Sequence, residues 1–215
     1  MGLARGLERR LEGLVDGLAA RLFRGRVHPV ELGTRIVREA DLAVYDTPAG
    51  PGAPNAFTVV LGGQPESDEA VVAAERELES VLAAAAAERG WRLEGPATVR
   101  IGFGVGPSSA VKVEPSIEPG PQPAFASLEA DGEVTEITVN RSVVGRSSTA
   151  DVHVPGDDVS RRHALIWQEA GAVWVADLGS SNGSFINDEP LDDVVDLVNG
   201  DRLTFGEQTF LVRIL

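Results

Sequence analysis

The chain has 215 residues, 43% hydrophobic and 24% charged, the balance of an ordinary globular protein and far from that of a disordered one. It has no cysteine, which excludes a disulfide framework, thiolate metal sites and Cys nucleophiles. Of the net charge of −14, residues 126–215 carry −10, six Arg against 16 Asp or Glu, a poor surface for nucleic acid, whose phosphates need a basic one.

In chain order, Leu3, Leu7, Leu11, Leu14, Leu18 and Leu22 follow a helical period and predict an amphipathic helix. Gly6, Gly13 and Gly17 each cost it about 1 kcal/mol. Up to Arg26 there are six Arg and three acidic residues, which suits the solvated face of a core-packed helix. Docking to a protein, or weak contact with an anionic membrane or nucleic acid, is the other use of such a face. The segment lacks the apolar core and cleavage site of a signal peptide, and Gly6 stands where a myristoylation site needs Ser or Thr. No run approaches the ~20 apolar residues of a membrane helix, so a cytoplasmic location is expected.

"HPVELGTRIVREADLAV" predicts a second helix, with Pro29 in its first turn. "YDTPAGPGAPN" is a loop by its Pro and Gly content, and "AFTVVLGG" a short β-branched strand. "SDEAVVAAERELESVLAAAAAERG" predicts a long helix. Ser67 caps it, Asp68 and Glu69 complement the positive end of its dipole, and Gly90 closes it. "WRLEGPATVRIGFGV" follows as a strand or hairpin. Residues 1–105 are thus expected to form a small α+β domain. Residues 106–124 carry five prolines between Pro107 and Pro123 and predict an extended, semi-stiff linker. From residue 125 to 215 short β-rich segments alternate with turn residues, the pattern of an all-β sandwich or barrel. The chain is therefore expected to be multidomain.

Three clusters in the β-rich part share one chemistry. Gly145-Arg146 ends a strand; Ser160, Arg161 and His163 precede another; and "DLGSSNGSFIN" places Ser180, Ser181, Asn182 and Gly183 in a loop. Guanidinium groups offer a planar fork of donors to phosphate oxygens, and hydroxyls and amides add neutral hydrogen bonds. Arginines and hydroxyls gathered on one rim of a sandwich make a phosphate-monoester receptor. The blander readings are a surface ion-pair arginine for Arg146, a loop-bracing hydrogen bonder for His163 and a simple hairpin turn at Asn182-Gly183. His28 and His153 have no second ligand at metal spacing, so no metal and no cofactor are expected.

These clusters resemble the forkhead-associated (FHA) domain, whose pattern is Gly-Arg, then Ser-Arg-x-His, then Ser/Thr-Asn-Gly-Thr-x-x-Asn. Here they stand as Gly145-Arg146, Ser160-Arg161-Arg162-His163 and Ser181-Asn182-Gly183-Ser184-Phe185-Ile186-Asn187, with Ser184 departing from the usual Thr. The resemblance implies a β-sandwich of two sheets that binds phosphothreonine peptides. Arg146, Ser160, Arg161 and Ser181 would hold the phosphate and Asn182 the peptide backbone, while Gly145, His163, Gly183 and Asn187 would shape the loops. The start of the chain, "LERRLEGLVDGLAARLFRGRVHPVELGTRIVREAD", resembles the bacterial FhaA-type proteins, which place an α+β domain ahead of an FHA domain. That resemblance implies Ser/Thr-kinase signalling, phosphothreonine-containing protein partners and no enzymatic activity. The competing class is a hydrolase with a triad of Ser160, His163 and Asp177, for which the Gly-x-Ser-x-Gly elbow is missing. A scaffold that reaches nucleic acid or membrane through its N-terminal domain is the alternative function.

Overall fold

The computed structural model describes residues 29–65, 67–107 and 110–215. The helix expected over Leu3–Leu22, and His28, lie outside the described residues. The chain forms two compact units, one mainly before Pro121 and one mainly from Pro121 to Leu215.

The first unit is α+β. Helix α1 (Pro29–Leu42) buries Leu32, Ile36, Val37 and Ala40, a spacing that follows the helical period. A short hairpin, β1 (Tyr45–Thr47) and β2 (Gly50–Gly52), occupies part of the segment expected to be plain loop. Strand β3 (Ala56–Gly62) is followed by helix α2 (Asp68–Arg89) and by β4 (Thr98–Gly104), which pairs with β3 in parallel. That is a βαβ unit with α2 as its crossover. Small side chains, Ala70, Ala74, Ala85 and Ala86, alternate with Leu78, Val81 and Leu82 on the buried stripe of α2. Gly90, at φ 62°, ends the helix in the left-handed conformation that a C-terminal cap uses. On the free side of β4, the carboxylates of Glu75 and Glu79 accept the N–H groups of Ile101 (2.8 Å) and Val99 (3.2 Å). Backbone donors that an edge strand leaves unpaired are thereby satisfied by the neighbouring helix.

Strand β5 (Val111–Ser116) pairs antiparallel with β3 and corrects the expectation of a linker at these residues. The proline density was misleading because only Pro115 lies within the strand. Gly62 N–H donates to Ala110 O at 3.0 Å, so the even-numbered residues of β5 turn their backbone groups toward β3. Pro115 falls in the opposite phase, on the outer edge, where a missing N–H costs no ladder bond.

The second unit is a sandwich of two sheets. One has the order β14 (Val195–Leu197), β11 (Ala172–Asp177), β10 (Ala164–Glu169), β8 (Ser142–Gly145) and β9 (Val152–His153). The other has the order β13 (Glu189–Pro190), β12 (Ser184–Ile186), β15 (Arg202–Phe205), β16 (Gln208–Ile214), β6 (Ala126–Ala130) and β7 (Glu133–Ile137). Ala164 and Ile166 of β10 and Leu203 and Phe205 of β15 are fully buried between the sheets, as period-two alternation requires. The C-terminal ends of β8, β11 and β15 and the N-terminal ends of β10 and β12 lie toward one end of the sandwich, where the connecting loops carry all three sequence clusters.

Candidate functional site

Loop 146–151 and loop 154–163 are tied by their backbones. Arg146 N–H donates to Ser160 O (3.0 Å), Ser147 N–H to Arg161 O (3.4 Å) and His163 N–H to Val144 O (2.8 Å). Gly145 makes this approach possible: it is buried, and a Cβ there would stand 2.4 Å from Arg161 O. Any side chain at this position would push the Ser160-Arg161 segment away from Arg146.

His163 joins the second loop to the third. It is fully buried. Its Nδ1 accepts the Ser160 backbone N–H at 3.0 Å, and its Nε2 lies 3.0 Å from Gly183 O. A donor on one side and a carbonyl on the other fix the neutral ring as the Nε2–H tautomer. Phe205 meets the ring edge-on, with centroids 5.4 Å apart. Gly183 sits at φ 77°, a conformation that favours glycine. The third loop also reaches back directly, since Ser181 N–H donates to Ser160 Oγ at 3.0 Å. That bond uses the oxygen of Ser160 as acceptor and keeps its O–H free to donate.

Asp177, at the end of β11, organises the third loop from within. Its carboxylate accepts the Ser180 N–H (2.7 Å), the Ser180 hydroxyl (2.6 Å) and the Ser184 hydroxyl (2.6 Å). Burial pushes this carboxyl up, but the bonds from Ser180, Ser184 and the Gly179 backbone outweigh it and hold the group below the usual carboxylate range. Ser184, the departure from the family's Thr, thus keeps the hydroxyl that the loop uses.

The three loops line an open cleft of about 610 Å³ that includes Arg146, Ser160, Arg161 and Ser181, with Ser147, Thr149, Asp157, Asp158 and Arg162 around them. Asn182 stands beside it, one amide N–H donating to Asp158 O at 2.7 Å. Asn187 is elsewhere. It follows the other end of β12, at φ 51°, and bonds Asp201 (2.9 Å) and the Arg202 N–H (3.0 Å). It therefore shapes the turn into β13 and the turn before β15, not the cleft. Among the described residues there is no group of His, Cys, Asp and Glu arranged for a metal ion.

Sequence patterning alone points to no role in the cleft for Asp158 and Arg162, and offers Asp177 only as a candidate triad acid. The Asp-Leu-Gly-Ser-Ser string at the end of a strand was a local signal for Asp177, because Asp side chains bond backbone two or three residues on. Asp158 had none: its carboxylate accepts the Glu207 N–H at 2.5 Å from a turn 49 residues away.

Two family models match the chain, the FHA domain over residues 142–206 and the FhaA N-terminal domain over residues 5–103. The chain is an FHA-domain protein of the FhaA type. Among curated proteins, the chain is 43% identical over 63 residues to the glycogen accumulation regulator GarA of Mycolicibacterium smegmatis, covering 29% of this chain and 39% of that protein. It is 29% identical over 86 residues to the FHA domain-containing protein FhaA of Mycobacterium tuberculosis, covering 40% of this chain and 16% of that one. The matches thus span well under half of these relatives' lengths. Among solved structures, the FhaA FHA domain complexed with the intracellular domain of Rv3910 is 29% identical, with a TM-score of 0.38, covering 41% of this chain and 97% of that one. In this FHA domain Arg146, Ser160, Arg161 and Ser181, one or two from each motif segment, meet at one cleft, while Ser184–Ile186 run on in β12 and Asn187 lies at its far end.

Proposed function

We propose that the FHA domain binds phosphothreonine on protein partners and that the chain is a non-enzymatic, cytoplasmic adaptor in Ser/Thr-kinase signalling. The observation that carries this reading is the pairing of arginines. The domain holds six Arg among 16 acidic residues. Arg141, Arg202 and Arg213 pair with Glu169, Asp188 and Glu129. Arg146, Arg161 and Arg162 make no ion pair among the described residues and line the cleft. In so acidic a domain, three guanidinium groups left without a carboxylate suit a dianionic ligand, with Ser160 and Ser181 beside them as neutral donors.

A hydrolytic reading finds no support in the geometry. His163 meets Ser160 through the backbone N–H, not the hydroxyl, and its Nε2 lies 3.9 Å from Asp177; a nucleophile–base pair needs the hydroxyl within hydrogen-bond reach of the ring. Two kinds of curated relative are named as regulators, a glycogen accumulation regulator and an oxoglutarate dehydrogenase inhibitor. No helix among the described residues is long and apolar enough to cross a membrane.

Calorimetry with matched phosphothreonine, phosphoserine and unphosphorylated peptides tests the reading. Phosphothreonine should bind best and the unphosphorylated peptide not at all. The two phosphopeptides carry the same dianion, so their difference rests on one methyl, about 0.8 kcal/mol or roughly fourfold. Equal affinity for all three would end the proposal.

A further inference from the structure

The second unit contains both Asn-Gly pairs of the chain, Asn182-Gly183 in the third cleft loop and Asn199-Gly200 in the turn before β15. Asparagine is a thermolabile residue, most of all before glycine, whose unhindered nitrogen can close a five-membered ring on the side-chain carbonyl carbon. Both asparagines are exposed, so exposure does not separate the pairs. Hydrogen bonding does. Gly200 N–H donates to Val212 O at 3.0 Å, and Asn199 Oδ1 accepts the Ile214 N–H at 2.7 Å. Ring closure there removes the donor and moves the acceptor off β16. Gly183 N–H makes no hydrogen bond among the described residues. Only its carbonyl is held, by His163 Nε2 (3.0 Å) and Gly206 N–H (3.4 Å).

We propose that Asn182 is a site of spontaneous deamidation, and that its conversion shuts the phosphate cleft irreversibly. The chemistry needs only water. Gly183 N gives up its proton and bonds to Asn182 Cγ, the Cγ–Nδ2 bond breaks, and ammonia leaves carrying that proton. Water then opens the cyclic imide at either carbonyl, giving aspartate or isoaspartate at residue 182 with no oxidation or reduction. The effect on binding rests on the phosphothreonine reading above. The Asn182 amide donates to Asp158 O at 2.7 Å. A carboxylate has no N–H to give, either to that carbonyl or to the backbone of a bound peptide. It also sets a negative charge beside a cleft whose ligand is a dianion. The isoaspartate product lengthens the main chain by one methylene at residue 182. That shifts the Gly183 carbonyl held by His163 and the Ser181 N–H given to Ser160 Oγ.

The test incubates the full chain at neutral and at mildly alkaline pH. Peptide mapping by mass spectrometry and labelling with an isoaspartate methyltransferase follow the conversion, and calorimetry with one phosphothreonine peptide follows binding. Asn182 should convert while Asn199 stays an amide, and faster at alkaline pH, because the attacking nitrogen must lose its proton. The converted chain, separated on ion exchange by its extra negative charge, should bind the peptide about tenfold more weakly or worse, and so should Asn182→Asp. That variant should melt close to wild type, the residue being exposed, so its weak binding is not unfolding. Asn182 persisting as the amide would overturn the site, as would Asn199 converting equally fast. Converted chain and Asn182→Asp binding like fresh wild type would overturn the shutting of the cleft. Fresh wild type binding no phosphopeptide would overturn the phosphothreonine reading and the shutting with it, whatever the mass spectrum shows at Asn182.

Discussion

A hydrogen bond to a charged group contributes about 1.5–3 kcal/mol, so Arg146→Ala should weaken phosphopeptide binding about ten- to a hundredfold. Its backbone N–H, which bonds Ser160 O, survives the substitution, and the melting temperature should hardly change. Calorimetry and a thermal melt on one sample separate the two effects. His163→Ala is expected to behave in the opposite way. It leaves the Ser160 N–H and the Gly183 carbonyl without the ring that joins them, at about 1–3 kcal/mol for each buried group left unpaired. For a domain of this size that lowers the melting temperature by roughly 4–8 °C per kcal/mol, and binding should weaken with it. A variant that binds poorly yet melts like wild type would count against the bracing role.

Among the elements, the loop between β11 and β12 depends on one ionised group. The Asp177 carboxyl is held below its ordinary value because Ser180, Ser184 and Gly179 donate to it, in spite of its burial. A carboxyl depressed in the folded state stabilises the fold fully above the ordinary carboxylate pKa of about 3.9, and this contribution is lost as pH falls through the folded value. Wild type and Asp177→Asn should therefore differ in stability by a constant amount from neutral pH down to about pH 5. The difference should shrink below about pH 4, as followed by denaturant titration at each pH. In the first unit the corresponding element-scale feature is the edge of β4, where Glu75 and Glu79 satisfy the outward N–H groups of Ile101 and Val99. The other edge, β5, carries Lys112 and Pro115, both of which discourage further strand pairing.

Considered as a whole, the molecule is acidic, with a small basic cleft in its most acidic part. A phosphate's second pKa lies near 6, and arginine does not titrate in that range, so the ligand sets the pH dependence of binding. Affinity for one phosphopeptide should fall as pH drops through about 6, because a monoanion gains less than a dianion from Arg146 and Arg161. Salt should have a modest effect, since one phosphate is recognised and many counterions are not released. Titrations from pH 5 to 8 at two salt concentrations check both points. Affinity that is flat in pH but collapses with modest salt would indicate diffuse electrostatics in place of a formed pocket.

The sequence by itself determined what depends on neighbours in the chain. The helix over Asp68–Arg89 was legible from its period and its caps, the alternating strands from period two, and the motif residues from their order and spacing. What depends on contacts distant in the chain was not legible. Val111–Ser116 is a strand because β3 offers it a free edge and Pro115 falls in the phase that donates nothing to the ladder. Asn187 looks like its companions in the motif, yet three residues of β12 carry it out of the cleft. Asp158 gains its place from a turn 49 residues away. Local spacing fixes which side chains share a strand or a loop, but only sheet pairing decides which loops meet, and hence which arginines are left facing a ligand.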